Sequence, residues 1–285
     1  MTPSWILTLD CEDRPGIVAA VSGFLAERDG FILDSQQYAD VETGRFFMRV
    51  VFVDGGARFP DDDDLRFAVE KVATRFEMRW DLAPDDRRPR VLIAVSKTSH
   101  CLNDLLHRWR SGHLHIDVAG VVSNHSALHE LASWYGTPFH YLPVTNATRA
   151  GQEAALLDLF RKEGAELLVL ARYMQVLSPE LVRQLEGRAI NIHHSFLPSF
   201  KGARPYHRAH ERGVKLIGAT AHFVTTDLDE GPIIEQAVER VDHRATANDL
   251  VRIGRDIEAQ VLARAVAWVA ERRVLMNGMR TVVFR

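Results

Sequence analysis

The sequence predicts an α/β protein in two parts, a small ferredoxin-like module followed by a doubly wound, mostly parallel sheet domain. Three observations lead there. Residues 1–82 carry the element order β-α-β-β-α-β, the signature of the ferredoxin-like unit. The stretch 83–90, APDDRRPR, holds two prolines and five charges, cannot form a core element and reads as a linker. Beyond it, short apolar strands alternate with helices, the mark of a parallel sheet covered on both faces.

Within the module, residues 5–10 alternate apolar and polar positions and read as a strand. Residues 16–28 then place Ile17, Val18, Val21, Phe24 and Leu25 on one helical stripe. Residues 35–41 alternate again, and 46–53 form a mostly apolar run, so both read as strands. The acidic run 61–64 precedes LRFAVEKVATRF and suits a helix N-terminus, where carboxylates face the positive end of the helix dipole. That helix covers 65–76, and a strand over 78–82 closes the module.

In the second part the strands fall at 91–95, 116–122, 139–142, 167–170 and 189–192, with helices at 102–109, 125–135 and 154–162 between them. Ser178 and Pro179 are the N-cap and first-turn residue of a further helix. The end differs, because 215–224 and 233–241 read as a hairpin. Residues 248–272 form a long amphipathic helix whose stripe of Leu250, Ile253, Ile257, Val261 and Trp268 packs on the sheet. The expected domains are therefore 1–82, a linker at 83–90, and 91–285.

Composition sets limits on function. The 285 residues are 46% hydrophobic and 26% charged, as in ordinary globular proteins. Lys and Arg total 35 against 38 Asp and Glu, a net charge of −3, so bulk charge gives no support to nucleic-acid binding. Cys11 and Cys101 form no CxxC and no metal-ligand spacing, which fits reduced thiols in a reducing compartment. The start, MTPSWILTLDCEDRP, has no basic region ahead of an apolar stretch, so it does not read as a signal peptide. No apolar run approaches the roughly 20 residues needed to cross a bilayer. A soluble, cytoplasmic protein with no nucleic-acid or membrane partner is expected.

Polar residues concentrate after the strand at 189–192, where ligands bind in doubly wound folds. There the chain reads NIHHSFLPSFKG, and later TAHFVTTDLDEG. Asn191 and His193 share a face if the strand continues, because side chains alternate with period two. An amide donor beside an imidazole is what an acyl-transfer site needs to hold a developing oxyanion. Asp229 then either holds His193 protonated or accepts a proton from the attacking group. The rival is a zinc site from His193, His194, His222 and Asp229. No HxxxH or HxH spacing links those histidines. Without a GxSxG elbow, GxGxxG or P-loop, serine-nucleophile, dinucleotide and nucleoside triphosphate chemistries have no motif behind them.

These blocks, NIHHSFLPSFKG followed by GATAHFVTTDLDEGPII, resemble the signature region of the folate-dependent formyltransferases, a resemblance that spans about residues 91–241. It implies 10-formyltetrahydrofolate as the bound formyl donor and a catalytic trio of Asn191, His193 and Asp229, with Thr220 and His222 in support. It further implies one folate loop at Met174, Gln175, Val176 and Leu177 and a second at Thr225, Thr226, Asp227 and Leu228. The turn Asp13-Arg14-Pro15-Gly16-Ile17-Val18 resembles the entry to an ACT domain, which implies self-association and an amino-acid effector near Asp13, Gly16 and Ile17. Gly16 permits a tight turn, and exposed helix amides can receive a carboxylate.

An ACT module ahead of a formyltransferase-type domain resembles the hydrolases of 10-formyltetrahydrofolate. The segments Ser96-Lys97-Thr98-Ser99-His100-Cys101 and Ser123-Asn124-His125 resemble that family's early blocks, and His194 stands where glycinamide ribonucleotide transferases usually show proline. The implied reaction is attack of water on the formyl group, giving formate and tetrahydrofolate, with folate as substrate and no cofactor or metal. Two alternatives remain open: transfer of the formyl group to an amine such as glycinamide ribonucleotide, and a non-catalytic folate or amino-acid sensor. The turn at 96–101 has one lysine and no glycine with which to cradle a phosphate, although Lys201, Arg204 and Arg208 supply charge nearby in sequence.

Overall fold

The structure, a computed structural model, describes residues 3–197 and 205–285. The chain divides into two compact units, residues 1–87 with 271–285, and residues 88–270. The first unit runs β1 (Ser4–Glu12), α1 (Ile17–Ala26), β2 (Gly30–Asp40), β3 (Arg45–Asp54), α2 (Asp62–Phe76) and β4 (Arg79–Pro84). Its sheet order is β2-β3-β1-β4, and every pairing is antiparallel. Period-two alternation sends Leu7 and Leu9 of β1 and Met48, Val50 and Phe52 of β3 to one face. They meet Ile17, Val21 and Leu25 of α1 and Leu65 and Val69 of α2 there. Asp61 caps α2 by accepting the Asp64 amide at 3.0 Å, with Asp62 and Asp63 in the first turn.

The second unit runs β5 (Arg90–Val95), α3 (His100–Arg110), β6 (Asp117–Ser123), α4 (His129–Trp134), β7 (Phe139–Tyr141), α5 (Arg149–Lys162) and β8 (Leu167–Leu170). It continues through α6 (Pro179–Gln184), β9 (Ala189–His193), α7 (Pro205–Glu211), β10 (Leu216–Phe223), β11 (Ile233–Arg240) and α8 (Ala247–Ala270). The sheet order is β11-β10-β9-β8-β5-β6-β7, so the winding reverses between β5 and β8. Strands β5 to β9 pair in parallel, whereas β10 is antiparallel to β9 and β11 to β10. Leu92, Leu168 and Leu170 of the sheet bury against Leu156 and Phe160 of α5 and Leu181 of α6. A buried leucine of this kind contributes about 2 kcal/mol. The long helix α8 packs on α3 and on β9, β10 and β11. No helix among the described residues is long and apolar enough to cross a membrane. Cys11 and Cys101 are buried free thiols.

The domain boundaries differ from the sequence expectation at both ends. Ala83 and Pro84, expected in the linker, continue β4, where Trp5 pairs with Pro84 and the Asp85 amide donates to the Ser4 carbonyl. Proline is tolerated there because β4 is an edge strand. Residues 271–285, expected in the second domain, belong to the first unit, where β12 (Val274–Asn277) and β13 (Arg280–Val283) form a hairpin. Polar contacts hold it there. Buried Arg49 donates to the Glu271 carbonyl at 3.1 and 3.3 Å, Arg272 pairs with Asp81, and Asn277 Nδ2 donates to Asp40 Oδ2 at 2.6 Å. The expected helix at 125–135 is a single 3-10 turn at Ser126–Leu128 followed by the short α4.

Burial pushes the Asp40 carboxyl up, but hydrogen bonds from Asn277, Thr43 and backbone amides outweigh it and hold the group ionised. Asn277→Ala is expected to lower the melting temperature. Asn277→Asp sets a second carboxylate against the first, so it is expected to lower it further at neutral pH and to recover in part on acidification. Thermal denaturation at two pH values checks this; equal melting of the two variants would contradict the clamp.

Candidate active site

Antiparallel pairing of β10 on β9 sets His222 opposite Asn191 and Thr220 opposite His193. All four share one face by alternation. The register against β11 shifts between Ala221 and His222, where β11 carries one extra residue, Ile234. The His222 Nδ1–H donates to the Phe223 carbonyl at 2.8 Å, which leaves Nε2 as an acceptor. Asn191 Nδ2 donates to that Nε2 at 3.2 Å, so the amide is fixed with its second hydrogen available. Burial lowers the His222 pKa and keeps the ring neutral, as this arrangement requires. Thr220 is fully buried; its hydroxyl donates to the Ser195 carbonyl at 2.9 Å and accepts from the Leu197 amide at 3.1 Å.

The loop after β10 brings Asp229 back over this face. Asp229 adopts a left-handed conformation, φ 59°, a strained choice for a non-glycine residue that only its surroundings maintain. Gly231 makes the return possible, since a Cβ there would lie 1.8 Å from the Phe223 carbonyl oxygen. Asp229 Oδ1 accepts from His193 Nδ1 at 3.2 Å and stands 3.8 Å from His222 Nε2, beyond hydrogen bonding. Burial pushes the Asp229 carboxyl up, but the His193 hydrogen bond and the neighbouring rings outweigh it, and the net direction is down. Asp229 is therefore a carboxylate. His193 is buried, and its Nε2 has no hydrogen-bond partner among the described residues.

Asn191, His193, His222 and Asp229 form one wall of a cavity of about 250 Å³, whereas Thr220 lies off it. Met174, Gln175, Val176 and Leu177 form another, with Thr225, Thr226 and Leu228 closing it. Met174, Val176 and Leu228 are exposed, an apolar mouth of the kind that ligand pockets use. Asp227 lies off the cavity wall. Its carbonyl accepts from the Thr225 hydroxyl at 3.0 Å and from the Glu230 amide at 3.3 Å, so it shapes the loop instead. The 174–177 segment is anchored from the sheet. Ser96, just past the end of β5, accepts the Met174 amide at 2.9 Å and donates to Asn124 Oδ1 at 2.7 Å, while buried Glu153 accepts the Ser178 amide at 2.9 Å.

Sequence reasoning missed a second polar group beside this wall. Glu258, 1% exposed on α8, accepts from His100 Nε2 at 2.8 Å and from the Tyr206 hydroxyl at 2.6 Å. It also pairs with Arg172 Nε at 3.3 Å. Gly254 lets Tyr206 in, because a Cβ there would meet the Tyr206 ring at 2.1 Å. Glu258 sits beside Ile257 on the buried stripe of α8, and a carboxylate at that place in the periodicity was the signal that could have found it. His100, Cys101 and Glu258 gather at ligand-like distances, but the carboxylate is already paired with Arg172 and accepts from His100 and the Tyr206 hydroxyl. In the first unit, Asp13 and Gly16 are exposed at the turn into α1, whereas the Ile17 side chain is in the core. Lys201 and Arg204 lie outside the described residues, and Arg208 is on α7.

Residues 89–266 match the formyl transferase family and residues 5–60 the ACT domain family. The formyltetrahydrofolate deformylase of Corynebacterium sp. (strain P-1) is 53% identical over 98% of this chain and 98% of its own, and that of Bacillus subtilis (strain 168) is 50% identical over 98% and 93%. The chain belongs to the formyltetrahydrofolate deformylase family. A crystal structure of the deformylase from Burkholderia mallei ATCC 23344 superposes with a TM-score of 0.94 at 54% identity, covering 99% of this chain and 100% of that one. Glycinamide ribonucleotide transformylase 1 from Symbiobacterium toebii matches with a TM-score of 0.66 at 31% identity, over 72% of this chain and 98% of its own.

The buried imidazoles give a pH dependence of stability. His194 is held down to about 4, chiefly by burial and then by the charge of Arg172, and His222 is lowered as well. The unfolded chain takes up protons on these rings below about pH 6.5 while the folded chain does not, so stability falls as pH drops through that window. His194→Phe is expected to flatten the slope between roughly pH 6.5 and about 4. Urea unfolding across that range checks it, and an unchanged slope would contradict the assignment.

Proposed function

We propose that this protein hydrolyses 10-formyltetrahydrofolate to formate and tetrahydrofolate, with water as the acceptor. The observation that carries the reading is the convergence of Asn191, His193 and Asp229 on one wall of the cavity lined by 174–177, Thr225, Thr226 and Leu228. It is supported by full-length likeness to formyltetrahydrofolate deformylases, against partial likeness to transformylases. Transfer to an amine and non-catalytic sensing are not favoured.

The geometry suggests the mechanism. The folate ring system enters between the 174–177 and 225–228 segments, and the formyl group faces β9. As water attacks the formyl carbon, its oxygen gains negative charge between the second Asn191 amide hydrogen and His193 Nε2–H. Both donors are held beforehand, Asn191 by His222 and His193 by Asp229 at Nδ1 and by the stacked His194 ring, so little reorganisation is needed at the moment of reaction. The Asp229 carboxylate orients the water and receives its proton, which passes on to N10 as the carbon–nitrogen bond breaks. N10 is an aniline-type nitrogen and leaves readily. Water and folate supply every atom, so the reaction balances without a cofactor.

The first unit is read as the self-association and effector module. Phe31 and Leu33 are exposed on β2, an edge strand, and offer an apolar surface to a second copy. The amides at the start of α1, beside exposed Asp13 and Gly16, are the place for an amino-acid carboxylate.

Steady formate release from 10-formyltetrahydrofolate in buffer, undiminished by added glycinamide ribonucleotide, is the expected result. Release that appears only with an amine acceptor would overturn the reading. Asp229→Asn is expected to abolish turnover with folate affinity kept within about tenfold. His193→Ala is expected to lose roughly 100-fold or more in kcat, as for one oxyanion donor. Paired glutamates, Phe31→Glu with Leu33→Glu, are expected to reduce the oligomer size in sedimentation; an unchanged size would place the contact elsewhere.

A further inference from the structure

We propose that His194 is a positioning residue that sets the plane of the His193 ring by stacking on it, anchored in turn by Arg172 and Glu258. The two imidazoles are stacked, with centroids 4.7 Å apart and planes 20° from parallel. Asp229 holds His193 at Nδ1 only, and Nε2 meets no partner among the described residues. One hydrogen bond fixes a point on an imidazole but leaves the ring free to swing about that contact. The stack removes that freedom.

His194 can serve as a backstop because Arg172 holds it at Nδ1 while it is largely buried. Arg172 Nη1 donates to His194 Nδ1 at 2.7 Å, which makes Nδ1 an acceptor and the ring neutral. Arg172 is pinned by Glu258, whose carboxylate is held by His100 and Tyr206 from α3 and α7. The charged groups facing His194 are thus Arg172, Glu258 and Asp229, with His193 stacked on it. A neutral ring stacks against His193 without repelling it, whereas a charged one would oppose the positive charge that His193 carries when both its nitrogens donate. The arrangement leads from α8 toward the reacting atoms through Glu258, Arg172, His194 and His193, the last three of which line the cavity.

This inference rests on the hydrolase reading, so wild-type formate release is measured first as the separate test of that reading. The test compares His194→Ala, which removes the stack, with His194→Phe, which keeps a ring in place. The Ala variant is expected to lose at least about tenfold in kcat with KM within about threefold, and the Phe variant to recover most of it. Arg172→Met is expected to be non-additive with His194→Ala, because both act through one ring. A readout independent of turnover is the His193 ring resonance in substrate-free protein. It is expected to be single and sharp in the wild type and the Phe variant, and broadened or doubled in the Ala variant. Equal kcat losses in the Ala and Phe variants, a loss confined to KM, additive Arg172 and His194 effects, or an unchanged His193 resonance in the Ala variant would each overturn the proposal.

Discussion

The antiparallel pairing of β10 on β9 is the constraint from which the site descends. A parallel sheet alone would deliver Asn191 and His193 to a strand end with nothing opposite them. Reversing the next strand lays Thr220 and His222 directly across from them, at the short separations typical of cross-strand pairs. The same strand then feeds the loop that returns Asp229 to His193. Gly231 is the hinge of that return, since no side chain fits against the Phe223 carbonyl. Fold and chemistry therefore meet in one local arrangement, in which a glycine and a left-handed aspartate act together.

Charge is distributed in two separate systems on either side of the stacked histidines. Toward the cavity, Asp229 faces His193 and His222. Away from it, Glu258 is surrounded by Arg172, His100 and Tyr206. A buried carboxylate without partners costs several kcal/mol, so the second group persists only because it is fully satisfied. The first is deliberately less complete: His193 Nε2 has no partner among the described residues, and that is the atom proposed to act on substrate.

Much of this was legible in the sequence. The β-α-β-β-α-β order, the parallel series and the terminal hairpin at β10 and β11 follow from periodicity, because each has its own repeat and turn chemistry. Asn191, His193 and Asp229 were legible by motif, and the structure brings them together. What escaped was long-range. The claim of residues 271–285 on the first unit rests on contacts such as Asn277 with Asp40, which no local pattern encodes, although Gly278, at the first position of the two-residue turn and at φ 62°, is the residue such a hairpin favours. Glu258 escaped because the stripe on α8 was read for apolar residues only. The resemblance places Asp227 in the second folate loop, yet its carbonyl shapes the loop and its side chain does not line the cavity.

The central claim is that Asn191, His193 and Asp229 direct water onto the formyl carbon, and the origin of the product oxygen tests it most directly. Turnover of 10-formyltetrahydrofolate in water labelled with heavy oxygen, with no amine present, should yield formate that carries one labelled oxygen, with tetrahydrofolate formed in equal amount. Formate without label, or no formate until an amine acceptor is supplied, would contradict the account.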